Sequence, residues 1–289
     1  FEKENFGEII LASMGLQIRQ KNMTDWVALQ KKVQKIKKQV AIGLVGKYFN
    51  LKSCRDTYIS VIEAIKHAAW DNGLEPDIQW LDAEDYEKDP QKLKELDRID
   101  GIIVPGGFGK RGIEGMIASA RYARENKIPY LGLCLGLQIA VIEVARNLAN
   151  FKKANSEEFD PKTPDPVIHL MATQKEVMAN SSYGGTMRLG AYPCAIGEGT
   201  VAKRAYGAAT ISERHRHRYE FNSAYRERLA RHGLVPSGVS PDGMLAEMME
   251  IKKHPFFVGV QFHPEFKSRP LKPHPLFREF IKASLKRAR

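Results

Sequence analysis

An α/β fold is predicted: three layers, α/β/α, with helices on both faces of a mostly parallel central sheet. Three observations carry it. From Gln39 onward, short apolar runs alternate with segments of helical period, the arrangement that yields right-handed βαβ units. Runs such as Val40-Ala-Ile-Gly-Leu-Val45 and Gly101-Ile-Ile-Val104 are apolar throughout, as strands covered on both faces must be. Finally, the two side chains of greatest chemical promise, Cys134 and His263, each follow such a run, and sites in parallel sheets lie at the carboxyl ends of strands.

The elements follow in order. Phe6 to Leu16 reads as a short amphipathic helix and Met23 to Lys38 as a second, strongly basic one. Residues 1–38 differ in character from the rest. Val40 to Val45 is a buried strand, and Asp56 to Trp70 a helix with Tyr58, Val61, Ile62, Ile65 and Ala69 on one face. Ile78-Gln-Trp-Leu81 is the next strand, Leu93 lies in a short helix, and Gly101 to Val104 is a strand. Ile113 to Glu125 is a helix, Tyr130 to Leu133 the strand that feeds Cys134, and Phe256 to Phe262 the strand that stops at His263. The chain opens on Phe1 rather than Met, so a fragment of something longer is expected.

Composition narrows the function classes. A chain of 289 residues can bury a substantial core and carry an appendage. Its three cysteines, Cys54, Cys134 and Cys194, form no Cys-x-x-Cys pair and no metal-ligand spacing, which suits a reducing cytoplasm better than a disulfide framework. No apolar run reaches the ~18 residues of a membrane span, and no signal-peptide pattern opens the chain. The net charge of +11, 45 basic minus 34 acidic residues, raises nucleic acid as a partner. Basic residues gather in 31–38, in Arg214 to Arg218 and in 286–289, without interleaved aromatics, so solvated surface or contact with a partner domain is the better reading.

Cys134 stands in Gly132-Leu-Cys-Leu-Gly136, where a strand meets a helix. This is the pattern of a nucleophile elbow: the glycines let strand and helix crowd together while the nucleophile is pushed into a sharp turn. Unpaired N–H groups and the helix dipole there favour a thiolate. Taken alone, the cysteine could equally be a small buried hydrophobe. The run His263-Pro-Glu265 tips the balance, because a nucleophilic thiol needs an imidazole to take its proton and a third group to orient that imidazole.

Gly43-Leu-Val-Gly-Lys-Tyr48 lacks the spacing of a phosphate-binding loop and reads as a strand ending in a turn; Gly106-Gly-Phe-Gly-Lys-Arg-Gly112 lacks a dinucleotide fingerprint. His215 and His217 could hold a metal, but no third ligand has suitable spacing. On a strand they would share a face with Tyr219, opposite Arg214, Arg216 and Arg218.

Taken together, several segments make the chain similar to the class I (triad-type) glutamine amidotransferases, and within that class to the C-terminal glutaminase domains of the CTP synthases. They are 105–112, 132–138, Ala154-Asn-Ser-Glu-Glu-Phe-Asp-Pro161, Gly184-Gly-Thr-Met-Arg-Leu-Gly190, Glu213-Arg-His-Arg-His-Arg-Tyr-Glu220 and Gly259 to Pro270. The resemblance implies a flavodoxin-like sheet in a domain of residues 39–289, with residues 1–38 the end of a synthase domain and its linker. It implies a Cys134, His263, Glu265 triad that hydrolyses L-glutamine through a γ-glutamyl thioester. An oxyanion needs two N–H donors, and Gly107 and Leu135 are the candidates, with Gly136, Leu137 and Gln138 beside them on the substrate side. By resemblance, Arg218 takes the substrate carboxylate and Glu158 its ammonium.

No cofactor is expected on this domain; ATP, UTP, Mg²⁺ and the activator GTP belong to the intact enzyme, which the family forms as a homotetramer. The expected partners are glutamine and the synthase domain of the same polypeptide, not nucleic acid or membrane. Glu157 and Leu137 stand where the family usually has Thr and Met, Ser53-Cys-Arg55 is unfamiliar, and Lys175 to Tyr183 has no assigned role. Two rival readings are a glutaminase serving another biosynthetic amidotransferase and a noncatalytic assembly module.

Overall fold

The computed structural model describes residues 2–17, 21–47, 56–170 and 187–287. They divide into two compact units, residues 1–35 and 36–289. In the first, α1 (Phe6–Ser13) and α2 (Thr24–Gln34) bury no side chain fully, and both are shorter than their sequence patterns.

The second unit runs β1 (Gln39–Gly46), α3 (Ile59–Asp71), β2 (Glu75–Asp82), α4 (Ala83–Lys88), β3 (Gly101–Val104), α5 (Ile113–Glu125), β4 (Tyr130–Leu133) and α6 (Leu135–Asn147). Next come β5 (Ala154–Ser156), β6 (Asp165–Leu170), β7 (Arg188–Ile196), α7 (Val201–Tyr206), β8 (Thr210–His217) and β9 (Tyr219–Phe221). The chain closes with α8 (Arg226–Arg231), β10 (Leu234–Val239), β11 (Ala246–Ile251), β12 (Phe257–Val260) and α9 (Pro275–Arg287). Leu93 lies in a 3₁₀ helix, Pro90–Arg98.

Among the described residues the main sheet has nine strands in the order β2-β1-β3-β4-β12-β11-β10-β7-β8. The first five are mutually parallel. The rest are added antiparallel, so β10 and β8 point with the parallel set while β11 and β7 oppose it. The expected three-layer, mostly parallel architecture is present, with an antiparallel extension that strand–helix alternation did not announce.

Period-2 side-chain alternation splits the core in two. Val45, Ile102, Val104 and Tyr130 pack against α4, α5 and α6, whereas Val40, Ile42, Leu44, Ile103 and Leu131 pack against α3, α7 and α9. The buried stripe of α3 is Val61, Ala64, Ile65, Ala68 and Ala69; Ile62, expected on it, is only half-buried. Tyr130 and Phe257, paired at the starts of β4 and β12, stack at 4.4 Å; such a pair adds about 0.5–1.5 kcal/mol beyond its buried area. A smaller sheet, β5-β6-β9, carries Glu158 just past one edge strand and Arg218 just before the other. Among the described residues no helix is long and apolar enough to cross a membrane.

Candidate active site

β4 and β12 are parallel neighbours in which Leu133 pairs with Val260, so the residues that follow each strand emerge side by side. The N–H of Cys134 donates to the Val260 carbonyl at 2.7 Å. Cys134 then turns with φ 49° and ψ −95°, a conformation that an L-residue adopts only when its surroundings impose it. The imposition is visible in the flanking glycines. A Cβ on Gly132 would stand 2.5 Å from the Gly136 backbone, and one on Gly136 would stand 2.2 Å from the Val104 carbonyl oxygen. Tyr130 secures the same turn by donating its hydroxyl to the Gly136 carbonyl at 2.8 Å.

His263, at the end of the segment after β12, places Nδ1 2.8 Å from Glu265 Oε1. Its N–H donates to the Arg214 carbonyl at 2.8 Å. Burial alone would lower the imidazole pKa; contact with Cys134 and with Glu265 outweighs it, and the group is pushed up to about 10. These two contacts favour the charged imidazole, with the Cys134 sulfur on one side of the ring and Glu265 on the other. Cys134, far away in sequence, is therefore brought together with His263 and Glu265.

The loop after β3 closes over this pair. A Cβ on Gly106 would lie 2.8 Å from His263 Cε1 and 3.6 Å from Cys134 Cβ; one on Gly107 would lie 3.3 Å from Leu135 Cδ2. Gly107 and Leu135, the proposed oxyanion donors, accordingly flank the elbow from opposite elements. Lys47 buttresses the loop from below, donating to the Phe108 carbonyl at 3.1 Å and to the Gly109 carbonyl. Burial lowers its ammonium pKa to about 8, against the pull of Glu158.

A cavity of about 410 Å³ opens above Cys134 and His263, lined by Lys47, Tyr58, Gly107, Phe108, Arg216 and Phe266. A second, about 430 Å³, shares Phe108 and Arg216 with it and is lined further by Glu158, Arg218 and Tyr219. Volumes in this range suit small ligands. Glu158 accepts the Gly109 N–H at 2.9 Å, and among the described residues Arg218 Nε is buried without a hydrogen-bond partner. An acid and an under-committed guanidinium therefore line one compartment, which shares two walls with the one that holds the thiol. Leu135 and Leu137 have buried side chains, so what they offer at the surface of the site is backbone. Gln138 is also buried, donating to the Tyr219 carbonyl at 3.2 Å and to Gln261 Oε1 at 3.5 Å.

His215 and His217 point inward together while Arg214 and Arg216 face out; the alternation ends at Arg218, where the chain leaves one sheet for the other. Their rings hydrogen-bond to each other at 3.1 Å. Among the described residues no group of three or more His, Cys, Asp or Glu is arranged to hold a metal ion. Lys47, Phe108 and Gln261 escaped the sequence reading. Lys47 has one signal, a Gly-Lys after a buried strand, whose spacing predicts only a turn. Lys175 to Tyr183, Cys54 and Gly184 to Thr186 lie outside the described residues.

Comparison with known proteins identifies the family. The family described as glutamine amidotransferase class-I matches residues 53–283. The CTP synthase of Carboxydothermus hydrogenoformans is 54% identical over 285 residues, 99% of this chain and 52% of its own length. That of Geobacillus kaustophilus is 51% identical over 285 residues, again 99% of this chain and 52% of its own length. The chain thus spans about half the length of the curated relatives it matches. A solved structure, the Trypanosoma brucei CTPS glutaminase domain with bound acivicin, aligns with TM-score 0.80 at 39% identity, covering 86% of this chain and 94% of that one. The chain belongs to the class I glutamine amidotransferases and, among them, to the glutaminase domains of the CTP synthases.

Proposed function

We propose that this chain hydrolyses L-glutamine to glutamate and ammonia through Cys134, His263 and Glu265. The observation that carries the reading is the sulfur–imidazole–carboxylate array, with His263 Nδ1 held by Glu265 at 2.8 Å and the imidazole pKa raised by its contacts with Cys134 and Glu265. The Cys134 thiolate, its proton held by His263, attacks the side-chain amide carbon; the sulfur pair forms the S–C bond while the C=O π pair moves onto the carbonyl oxygen. N–H groups of Gly107 and Leu135 receive that oxyanion, each donor worth roughly 2.7–4 kcal/mol of barrier. His263 gives its proton to the departing nitrogen, the C–N bond breaks, and ammonia leaves a γ-glutamyl thioester. The now neutral imidazole takes a proton from water, whose oxygen attacks the thioester; glutamate departs and the sulfur is restored. Glu265 holds the imidazole in the tautomer this cycle needs.

Arg218 pairs with the α-carboxylate and Glu158 with the α-ammonium of the substrate, a division supported by their placement around one compartment. Nothing in this half-reaction calls for a cofactor. In the whole protein the ammonia would serve the ATP-dependent amination of UTP to CTP, with Mg²⁺ and activating GTP, on a synthase domain to which residues 1–38 lead. A cytoplasmic homotetramer is the assembly that goes with this reading. Release of glutamate from glutamine by the purified chain, alone and mixed with a synthase domain, tests it. Glutamate should form with wild type and not with Cys134→Ala; hydrolysis by Cys134→Ala at the wild-type rate would overturn it.

A further inference from the structure

The triad does not exhaust the polar contacts of the sulfur. Gln261 lies two residues before His263, is 1% exposed, and places its amide Nε2 3.6 Å from Cys134 Sγ, within range for a donor to sulfur. Its N–H pairs with the Glu247 carbonyl at 2.8 Å, so the backbone beneath the side chain is fixed by the sheet.

Donor and acceptor bookkeeping determines which end of the amide meets the sulfur. The Tyr219 carbonyl can only accept, so it is the Gln138 NH₂ that faces it, at 3.2 Å. The same nitrogen lies 3.5 Å from Gln261 Oε1, which leaves the Gln261 NH₂ to point at Sγ. His217 reinforces the anchor: its Nδ1 is 3.0 Å from the Tyr219 carbonyl and must donate, so its Nε2 accepts from His215 Nδ1 at 3.1 Å. The network thus has one direction, ending in a donor aimed at the sulfur. The sulfur also lies 3.9 Å from the Arg216 carbonyl, an acceptor with nothing to offer an anion.

We propose that Gln261 is a further catalytic residue, whose side-chain amide donates a hydrogen bond to the Cys134 thiolate and stabilises it, with Gln138 and His217 as positioning residues that keep the amide in that orientation. Hydrogen bonds to an ion are stronger than those between neutral groups, so the contact favours the anion selectively. This deepens the glutaminase reading, but its test is independent of glutamine. Gln261→Met keeps the length and removes the donor; Gln261→Glu keeps the shape and sets a carboxylate against the sulfur.

The experiment measures alkylation of Cys134 by iodoacetamide across a range of pH, followed by intact mass, in wild type and both variants with melting temperature as a check on folding. In Gln261→Met the rising limb of the rate curve should move about one unit to higher pH, a tenfold slower reaction at a given pH on that limb, while the alkaline plateau stays at the wild-type rate. Gln261→Glu should move further. Superimposable curves, or one factor of loss at every pH, would overturn the proposal and leave Gln261 a packing residue. If the limb shifts although wild type releases no glutamate, the functional reading fails and this one stands. If glutamine is hydrolysed through Cys134 and the limb does not move, this proposal alone fails.

Discussion

His263 Nδ1 lies 2.8 Å from Glu265 Oε1, and this contact decides which ring nitrogen is left for Cys134. Glu265 is 7% exposed, so its charge acts on the imidazole with little screening by water. Glu265→Gln preserves the size of the side chain and removes the charge. Glutaminase kcat should fall roughly 10²-fold to 10⁴-fold, as triads lose when the orienting carboxylate becomes an amide, with little change in KM. Steady-state kinetics check this; an unchanged kcat would mean that Glu265 only braces the loop.

The same pair predicts behaviour for the loop above it. A methyl on Gly106 would sit 2.8 Å from His263 Cε1, whereas one on Gly107 meets only the end of the Leu135 side chain at 3.3 Å. Gly106→Ala should therefore cost at least about 10²-fold in kcat by displacing the imidazole, since misplacements of ~1 Å cost that much. Gly107→Ala keeps its N–H and should stay within about tenfold of wild type. Equal losses in the two variants would contradict the packing described here.

Much of the frame was legible. Gly101–Val104, Ile113–Glu125 and Tyr130–Leu133 have the limits that alternation alone assigned, because each is a continuous apolar run or a helical stripe with a proline, a glycine or the Cys134 turn at one or both ends. The antiparallel half was not legible because its strands bury charge. β11, Ala-Glu-Met-Met-Glu-Ile, is buried almost end to end; Glu247 is paired with Arg188 at 2.6 Å, and Glu250 accepts the Val201 N–H at 3.0 Å. Such compensation depends on partners far away in sequence. Spacing likewise pointed to Cys134 and His263, but only resemblance singled out Arg218 and Glu158, and only strand register brings Gln261 level with the sulfur.

Arg218 and Glu158 border one compartment, which separates binding from chemistry. Arg218→Ala should raise KM for glutamine at least tenfold, the loss of one charge-assisted contact, while alkylation of Cys134 by iodoacetamide changes less than twofold. Proportional losses in both assays would make Arg218 a structural support.

The buried histidine pair sets an acid limit. Burial, followed by the Arg188 charge, lowers His215 to about 2 and His217 to about 3. Folded values below the unfolded one mean that the unfolded chain binds more protons under acid conditions. Their contribution to stability is therefore complete above about pH 6.5 and declines as pH falls below it. At pH 5 each histidine has lost up to about 2 kcal/mol, at 1.36 kcal/mol per pH unit. The stability advantage of wild type over His215→Gln/His217→Gln should shrink by roughly 2–4 kcal/mol between pH 7.5 and 5 in urea titrations. An advantage independent of pH would show that the pair is not buried neutral.

The central claim is a covalent glutamyl–Cys134 intermediate, and trapping it is the most direct measurement. Cys194 offers an internal control: burial first, then neighbouring Glu247, pushes its thiol up to about 12, leaving it unreactive at neutral pH. The chain is mixed with isotopically labelled glutamine, quenched in acid within the first turnover, and mapped by peptide mass spectrometry. One glutamyl group on the peptide containing Cys134, lost on mild alkaline treatment and absent in Cys134→Ala, is the predicted result. Glutamate release without any acylated Cys134, or with the label on Cys194, would contradict the account.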